Sequence, residues 1–188
     1  MTESLGLMTG PLESEDTFSL VVIRSAGSVL LGRKTRGYGT GKLVLPGGSD
    51  HYYLSSQGIG LVEGGHNASR EVQEETGLTI DSSQIVQKGV LYIATEEDSK
   101  DVVIYETYAD RIEPTSSAEL ESVAWFEETT LPYEEMPADY ALWLPSLLTG
   151  CVITGFLETD HDEIVAGNIF IQQTNPLGRL QKLPVMAP

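Results

Sequence analysis

Four charged residues within six positions, Arg70, Glu71, Glu74 and Glu75, are the part of this chain most suited to chemistry. They lie in the run REVQEETGL, Arg70 to Leu78. On a helix, residues four apart share a face, so Glu71 projects with Glu75 and Arg70 projects with Glu74. Two carboxylates on one face repel each other, which costs stability unless a cation lies between them. Hard oxygen donors grouped in this way suit Mg²⁺ or Mn²⁺. Gly77 stops the helix directly after the acids and leaves them near its partially negative end, which also favours a cation. A plainer reading of the same letters is an exposed acidic helix whose arginine pairs with a glutamate at the surface.

Other elements must hold that helix in place. Asn67 suits the N-cap, Ala68 to Thr76 carries the helix formers, and Gly77 suits the C′ position. Phe18 to Arg24 and Val29 to Lys34 are apolar runs separated by Ser25-Ala26-Gly27-Ser28, the grammar of an antiparallel hairpin. Ile85 to Thr95 and Val102 to Asp110 predict a second hairpin across the acidic turn Glu96 to Asp101. Glycine-dense Arg36 to Gly41 and Pro46-Gly47-Gly48 flank Lys42 to Leu45, where backbone turns or approaches a ligand closely. Ser49 to Gly60 has no period and reads as a loop. Met136, Tyr140, Trp143 and Leu147 are spaced by four, three and four, which predicts a helix over Glu134 to Leu148. Cys151 to Thr159 and Ile164 to Gln173 read as closing strands around Asp160-His161-Asp162. Residues 1–16 read as a polar arm, 17–173 as one domain, and 174–188 as a peripheral tail with three prolines.

A length of 188 residues allows one domain with a sizeable core and is short for two. With 28 acidic against 11 basic residues the formal charge is −17, which argues against binding nucleic acid through its phosphates. An anionic substrate would need a local remedy, and a divalent metal on clustered carboxylates inverts the local charge. For most of the acids the plain role is solvating the surface. No basic leader and no apolar run of membrane length is present, so no membrane partner is expected and the expected location is the cytoplasm. Cys151 is the only cysteine, which rules out an internal disulfide and leaves it as a small buried apolar residue. Oligomeric state has no signature in the sequence.

REVQEETGL fits R-E-(apolar)-x-E-E-x-G-(apolar) without a miss, and that pattern is the second half of the Nudix box. From Phe18 to about Gln173 the chain resembles the MutT-like branch of the Nudix hydrolases, most closely the oxidised-purine nucleoside triphosphatases that sanitise the nucleotide pool. VLLGRKTRGYGTGK, Pro46-Gly47-Gly48, the box, Trp125-Phe126, Glu134-Glu135-Met136-Pro137 and Trp143-Leu144-Pro145 fall in that family's order. The resemblance implies an α/β fold, the Nudix α/β/α sandwich with a mixed central β-sheet. It implies metal ligands at Glu71, Glu74 and Glu75, with Arg70 orienting a glutamate, and a further carboxylate before Trp125. Glu119 and Glu121 bracket that last position, and Glu119 is preferred. It also matches Lys34 to a lysine near the phosphates and Tyr38 to a ring that packs on a base. The reaction implied uses Mg²⁺, or Mn²⁺, to lower the pKa of a bound water. A glutamate deprotonates that water for attack on phosphorus, and a nucleoside triphosphate gives a monophosphate and pyrophosphate.

The chain departs from the family around that core. Matching Gly60 to Gly65 to the usual G-x-V-E-x-G puts His66 where a glutamate is expected and leaves four residues missing before Arg70. An inserted loop separates Gly48 from Gly60, Val44 replaces an asparagine that reads the base edge, and Pro137 replaces a tryptophan. A pair of aspartates is reduced to Asp139, followed by Tyr140. His66 is a candidate ligand or a capping residue. The expected function is therefore a nucleoside di- or triphosphate hydrolase, with 8-oxo-dGTP among the candidate substrates. Nucleotide sugars, dinucleoside polyphosphates or ADP-ribose are a second substrate class, and a nucleotide sensor without turnover is a third reading.

Overall fold

Alternation of side chains sorts each buried strand between two apolar layers. In the computed structural model, which describes residues 16–50, 64–95, 98–160, 163–174 and 180–183, the first strand β1 (Asp16–Ser25) shows this directly. Val21 and Ile23 enter one cluster while Val22 enters another, as period-two geometry requires. The same division separates Leu30 from Val29 and Leu31 in β2 (Ser28–Lys34), and Val103 and Tyr105 from Val102 and Ile104 in β6 (Ser99–Tyr108). One layer is closed by helix α1 (Gly64–Thr76) through Ala68 and Val72. The other is closed by α2 (Tyr140–Leu148) through Tyr140, Trp143, Leu144 and Leu147. This is the expected sandwich of helices on both sides of a mixed sheet.

The remaining strands are β3 (Leu43–Val44), β4 (Ser49–Asp50), β5 (Val86–Ala94), β7 (Leu120–Glu127), β8 (Val152–Asp160), β9 (Glu163–Thr174) and β10 (Leu180–Leu183). Their order is β10-β9-β8-β5-β6-β1-β2-β3, with β4 beside β1 and β7 beside β2. β1 runs parallel to β6, β5 runs parallel to β8, and the other neighbours are antiparallel. Ala26 and Gly27 both take positive φ, 46° and 80°, which is the two-residue turn that matches strand twist and closes the first hairpin.

The site is created by a split in this sheet. β1 and β2 pair only at Arg24 with Val29 and Ser25 with Ser28. Beyond that point a wedge of backbone takes over the edge of β1. Val21 donates its N–H to the Pro46 carbonyl at 2.8 Å, and Ser19 donates to the Gly48 carbonyl at 2.9 Å. β2 meanwhile turns to β3 and β7. The diverging strands leave a cleft roofed by the Pro46–Gly48 turn.

Several expected boundaries move. α1 begins at Gly64, so Asn67 is inside the helix and not its N-cap. The extra turn fits closely, since a Cβ at Gly65 would lie 3.2 Å from the Ser82 carbonyl. The helix expected over Glu134 to Leu148 is broken into a 3-10 turn at Tyr133–Glu135 and α2. Pro137 lacks an N–H and disfavours helical backbone at Met136, which outweighs the apolar spacing. Asp16 is already part of β1, and the expected tail boundary at 174 falls on the last residue of β9, beyond which β10 adds an edge strand. The expected arm over residues 1–15, most of the 49–60 insertion, the segment Gly60 to Glu63, His161 and most of the last fifteen residues lie outside the described residues. No helix among the described residues is long and apolar enough to cross a membrane.

Candidate active site

Glu75 is buried by the phase of its own helix. Ala68, Val72 and Glu75 follow at spacings of four and three, so the stripe that packs α1 on the sheet carries Glu75 inward, where 4% of it remains exposed. A carboxylate there requires partners. Gly47 N–H donates to one oxygen at 2.9 Å, and the Lys34 ammonium donates to the other at 3.1 Å. Burial pushes the Glu75 carboxyl above its ordinary range, against the opposing pull of Gly47 and Lys34.

Arg70 and Glu74 lie one step round the helix, toward solvent. The Arg70 guanidinium donates to Glu74 at 2.9 Å and also to Glu71, holding itself firmly charged. Arg70, Glu71 and Glu74 line a cleft of about 690 Å³ that opens at the split in the sheet. Lys34, Tyr38, Val44, Glu119 and Asp139 line it as well, so one concave surface gathers nearly all the residues expected from the sequence. Glu119 pairs with Arg36 and lies 3.7 Å from Lys34, and the Arg36 hydrogen bond holds its carboxyl below the usual range. Glu121, the other bracket, is exposed on β7 opposite Arg33.

The donor chemistry fits a hard divalent cation. All the candidate groups are carboxylates, and the turn fits closely over one of them, since a Cβ on Gly48 would lie 2.4 Å from a Glu71 oxygen. At rest these oxygens are balanced by Arg70, Lys34 and Arg36. No three acidic, histidine or cysteine side chains among the described residues are gathered tightly enough to coordinate an ion as they stand. A divalent ion held here would draw on Glu71, Glu74 and Glu75.

The other wall of the cleft is apolar with few polar groups. Val44 is buried on β3, and the Tyr38 ring is 44% exposed at the rim. Asp139 is buried at the start of α2; one carboxylate oxygen accepts from Trp143 Nε1 at 2.9 Å, and Oδ1 has no hydrogen-bond partner among the described residues. Burial, partly opposed by the Trp143 hydrogen bond, pushes the Asp139 carboxyl up to about 6. The Tyr140 hydroxyl accepts from Leu45 N–H at 3.4 Å beneath the same wall.

A raised carboxyl pKa favours folding only while the group is protonated. That contribution is fully present below the ordinary value of 3.8 and is lost as pH rises through about 6. Asp139→Asn does not titrate and keeps an oxygen for Trp143. Its stability relative to the parent is expected to improve between pH 4 and pH 7.5, by at most about 3 kcal/mol. Thermal denaturation across that range checks this, and a pH-independent difference would contradict it.

His66 is exposed on the first turn of α1 with its Nε2 3.4 Å from the Ser82 hydroxyl, and it is not among the residues lining the cleft. Trp143 is wholly buried and serves Asp139 from the core. The Gly47 amide lies in the glycine turn expected to approach a ligand, whereas the side chains of Arg36 and Lys100 have no signal of their own in the sequence. Lys100 lies on β6 and its ammonium rests 4.9 Å from the ring centres of both Phe18 and Tyr38. An uneven number of polar residues at the start of a strand carries no trace of such a contact.

The NUDIX domain family matches residues 14–147 of the chain. The oxidized purine nucleoside triphosphate hydrolase of Danio rerio is 32% identical over 152 residues, covering 78% of this chain and 89% of the relative. The protein of the same name from Mus musculus is 30% identical, covering 79% and 90%. Among solved structures, the MutT protein of Bacillus halodurans aligns with a TM-score of 0.64 at 20% identity, covering 82% of this chain and 97% of that one. This last likeness speaks to the fold.

Proposed function

The chain belongs to the Nudix family and is a hydrolase, and from that premise we propose that it cleaves nucleoside triphosphates to a nucleoside monophosphate and pyrophosphate. The observation that carries this reading is Glu75, a carboxylate buried behind the cleft wall and held by Lys34 and the Gly47 amide, two residues that line the cleft themselves. Hydrolases of this family generally use divalent metal ions. Glu71, Glu74 and Glu75, with Glu119 across the cleft, are the residues that would hold Mg²⁺ or Mn²⁺. When bound, such an ion neutralises phosphate oxygens and makes water more acidic.

The chain's own groups perform the remaining work. Arg70 and Lys34 present charge to the phosphates once their glutamates turn away. Glu75 takes a proton from the attacking water, its basicity raised by burial. Water oxygen bonds to phosphorus as the bond bridging the α- and β-phosphates opens, and pyrophosphate leaves with the electron pair. Tyr38 packs against the base, and Asp139 Oδ1 accepts an N–H from its edge. Oxidised purine nucleotides such as 8-oxo-dGTP fit this reading through the two relatives, although Val44 offers no hydrogen bond where an asparagine would.

A panel of nucleoside triphosphates, with 8-oxo-dGTP, ADP-ribose and a nucleotide sugar, tests the proposal in a coupled pyrophosphatase assay. The expected result is Mg²⁺-dependent release of monophosphate and pyrophosphate from at least one triphosphate, more efficiently than from either diphosphate compound. Turnover confined to the diphosphate compounds would overturn the substrate class.

A further inference from the structure

Two lysines enter the cleft, and their surroundings differ in kind. Lys34 is matched by Glu75 and Glu119. Lys100 is held by ring faces, with its ammonium 4.9 Å from the centre of Phe18 and 4.9 Å from that of Tyr38. A ring quadrupole attracts a cation without neutralising it, so the charge stays available to an acceptor that arrives beside it. Lys100 shares this end of the cleft with Leu20, Ile93 and Val102, an apolar setting in which a hydrogen bond from an ammonium is worth more than in water. Tyr38 ties the group to Asp139, whose charge, after burial, helps push the tyrosine hydroxyl up to about 12.

We propose that Lys100 is a specificity-determining residue that donates a hydrogen bond to a carbonyl oxygen of the substrate's base, so that the cleft prefers keto bases to amino bases. The inference rests on the nucleotide reading of this cleft. A base packed against Tyr38 brings its edge toward the ammonium lying on that ring. A keto group accepts from Lys100, whereas an exocyclic amine in its place sets donor against donor and leaves the cation uncompensated. Phosphates belong to the other lysine, which lies against the glutamate helix.

Binding of dGMP and dAMP in Mg²⁺, measured by titration calorimetry on the full chain, tests this without any turnover. The wild type is expected to bind dGMP at least tenfold more tightly than dAMP. Lys100→Met keeps the length and apolar contact of the side chain, and is expected to weaken dGMP about tenfold while leaving dAMP within twofold. Lys100→Arg is expected to retain most of the preference, and both variants should melt within a few degrees of the parent. No preference in the wild type, or an unchanged dGMP-to-dAMP ratio in Lys100→Met, overturns the proposal. Equal losses for both nucleotides would mark a phosphate contact and overturn it as well. If no triphosphate is hydrolysed while the binding ratio still shifts, the hydrolytic reading falls and the role of Lys100 stands.

Discussion

Glu75→Gln is expected to lower kcat by about a thousandfold, roughly 4 kcal/mol of barrier. The substitution keeps the side-chain shape and an oxygen for Gly47 N–H, but removes the negative charge and the proton-accepting oxygen. Glu75 lies on the packed stripe of α1 with Ala68 and Val72, so its position is set by core contacts that glutamine preserves. The loss should therefore appear in turnover while the melting temperature moves little. Lys34 supplies the contrast: Lys34→Met leaves Glu75 ionisable but without its cation. Turnover by Glu75→Gln within tenfold of the parent, at saturating metal, would remove Glu75 from the chemistry.

Gly47→Ala is expected to be the most damaging glycine-to-alanine change among the described residues, costing about 3 kcal/mol or more of stability and most of the activity together. A Cβ at Gly47 would lie 2.0 Å from the Ser19 carbonyl oxygen and 2.9 Å from its carbon. Both atoms belong to the backbone of β1, deep in the sheet, and cannot rotate aside. Relief requires the Pro46–Gly48 wedge to move outward, which breaks the Val21 and Ser19 hydrogen bonds and withdraws the amide from Glu75. At this size a 3 kcal/mol loss corresponds to a fall in melting temperature of about 10 °C. Gly37→Ala is the control, because its Cβ meets nothing within 4 Å although its φ of +76° also favours glycine. That change is expected to cost only about 1 kcal/mol. Equal melting curves for the two variants would contradict the steric account.

The parts of this molecule that could be read from the sequence are those fixed by local geometry. The turn at Ala26-Gly27 declares itself by composition, and Gly77 ends α1 with a φ of +73° as a C′ glycine should. The pairing of Glu71 with Glu75 and of Arg70 with Glu74 follows from helical spacing alone. What spacing does not say is which pair faces the core. That depends on Ala68 and Val72, and it separates a buried acid from an exposed one. Pro137 is a legible stop that the apolar period running through it obscures, and in the structure the proline prevails. β7 was hidden because Glu121 and Ser122, the latter at φ +52°, interrupt its alternation at an irregular register with β2. Contacts such as Arg36 with Glu119, or Lys100 with Phe18, join residues more than eighty positions apart, and only the closed sheet brings them together.

The ion pairs around the glutamate helix also bear on how substitutions there combine. Arg70, Lys34 and Arg36 each face an acid of this cluster, so repulsion between neighbouring carboxylates is offset inside the protein. Removing one cation exposes its glutamate to the others, and removing one glutamate frees a cation. The effects of paired substitutions in this cluster are therefore expected to depart from the sum of the single ones.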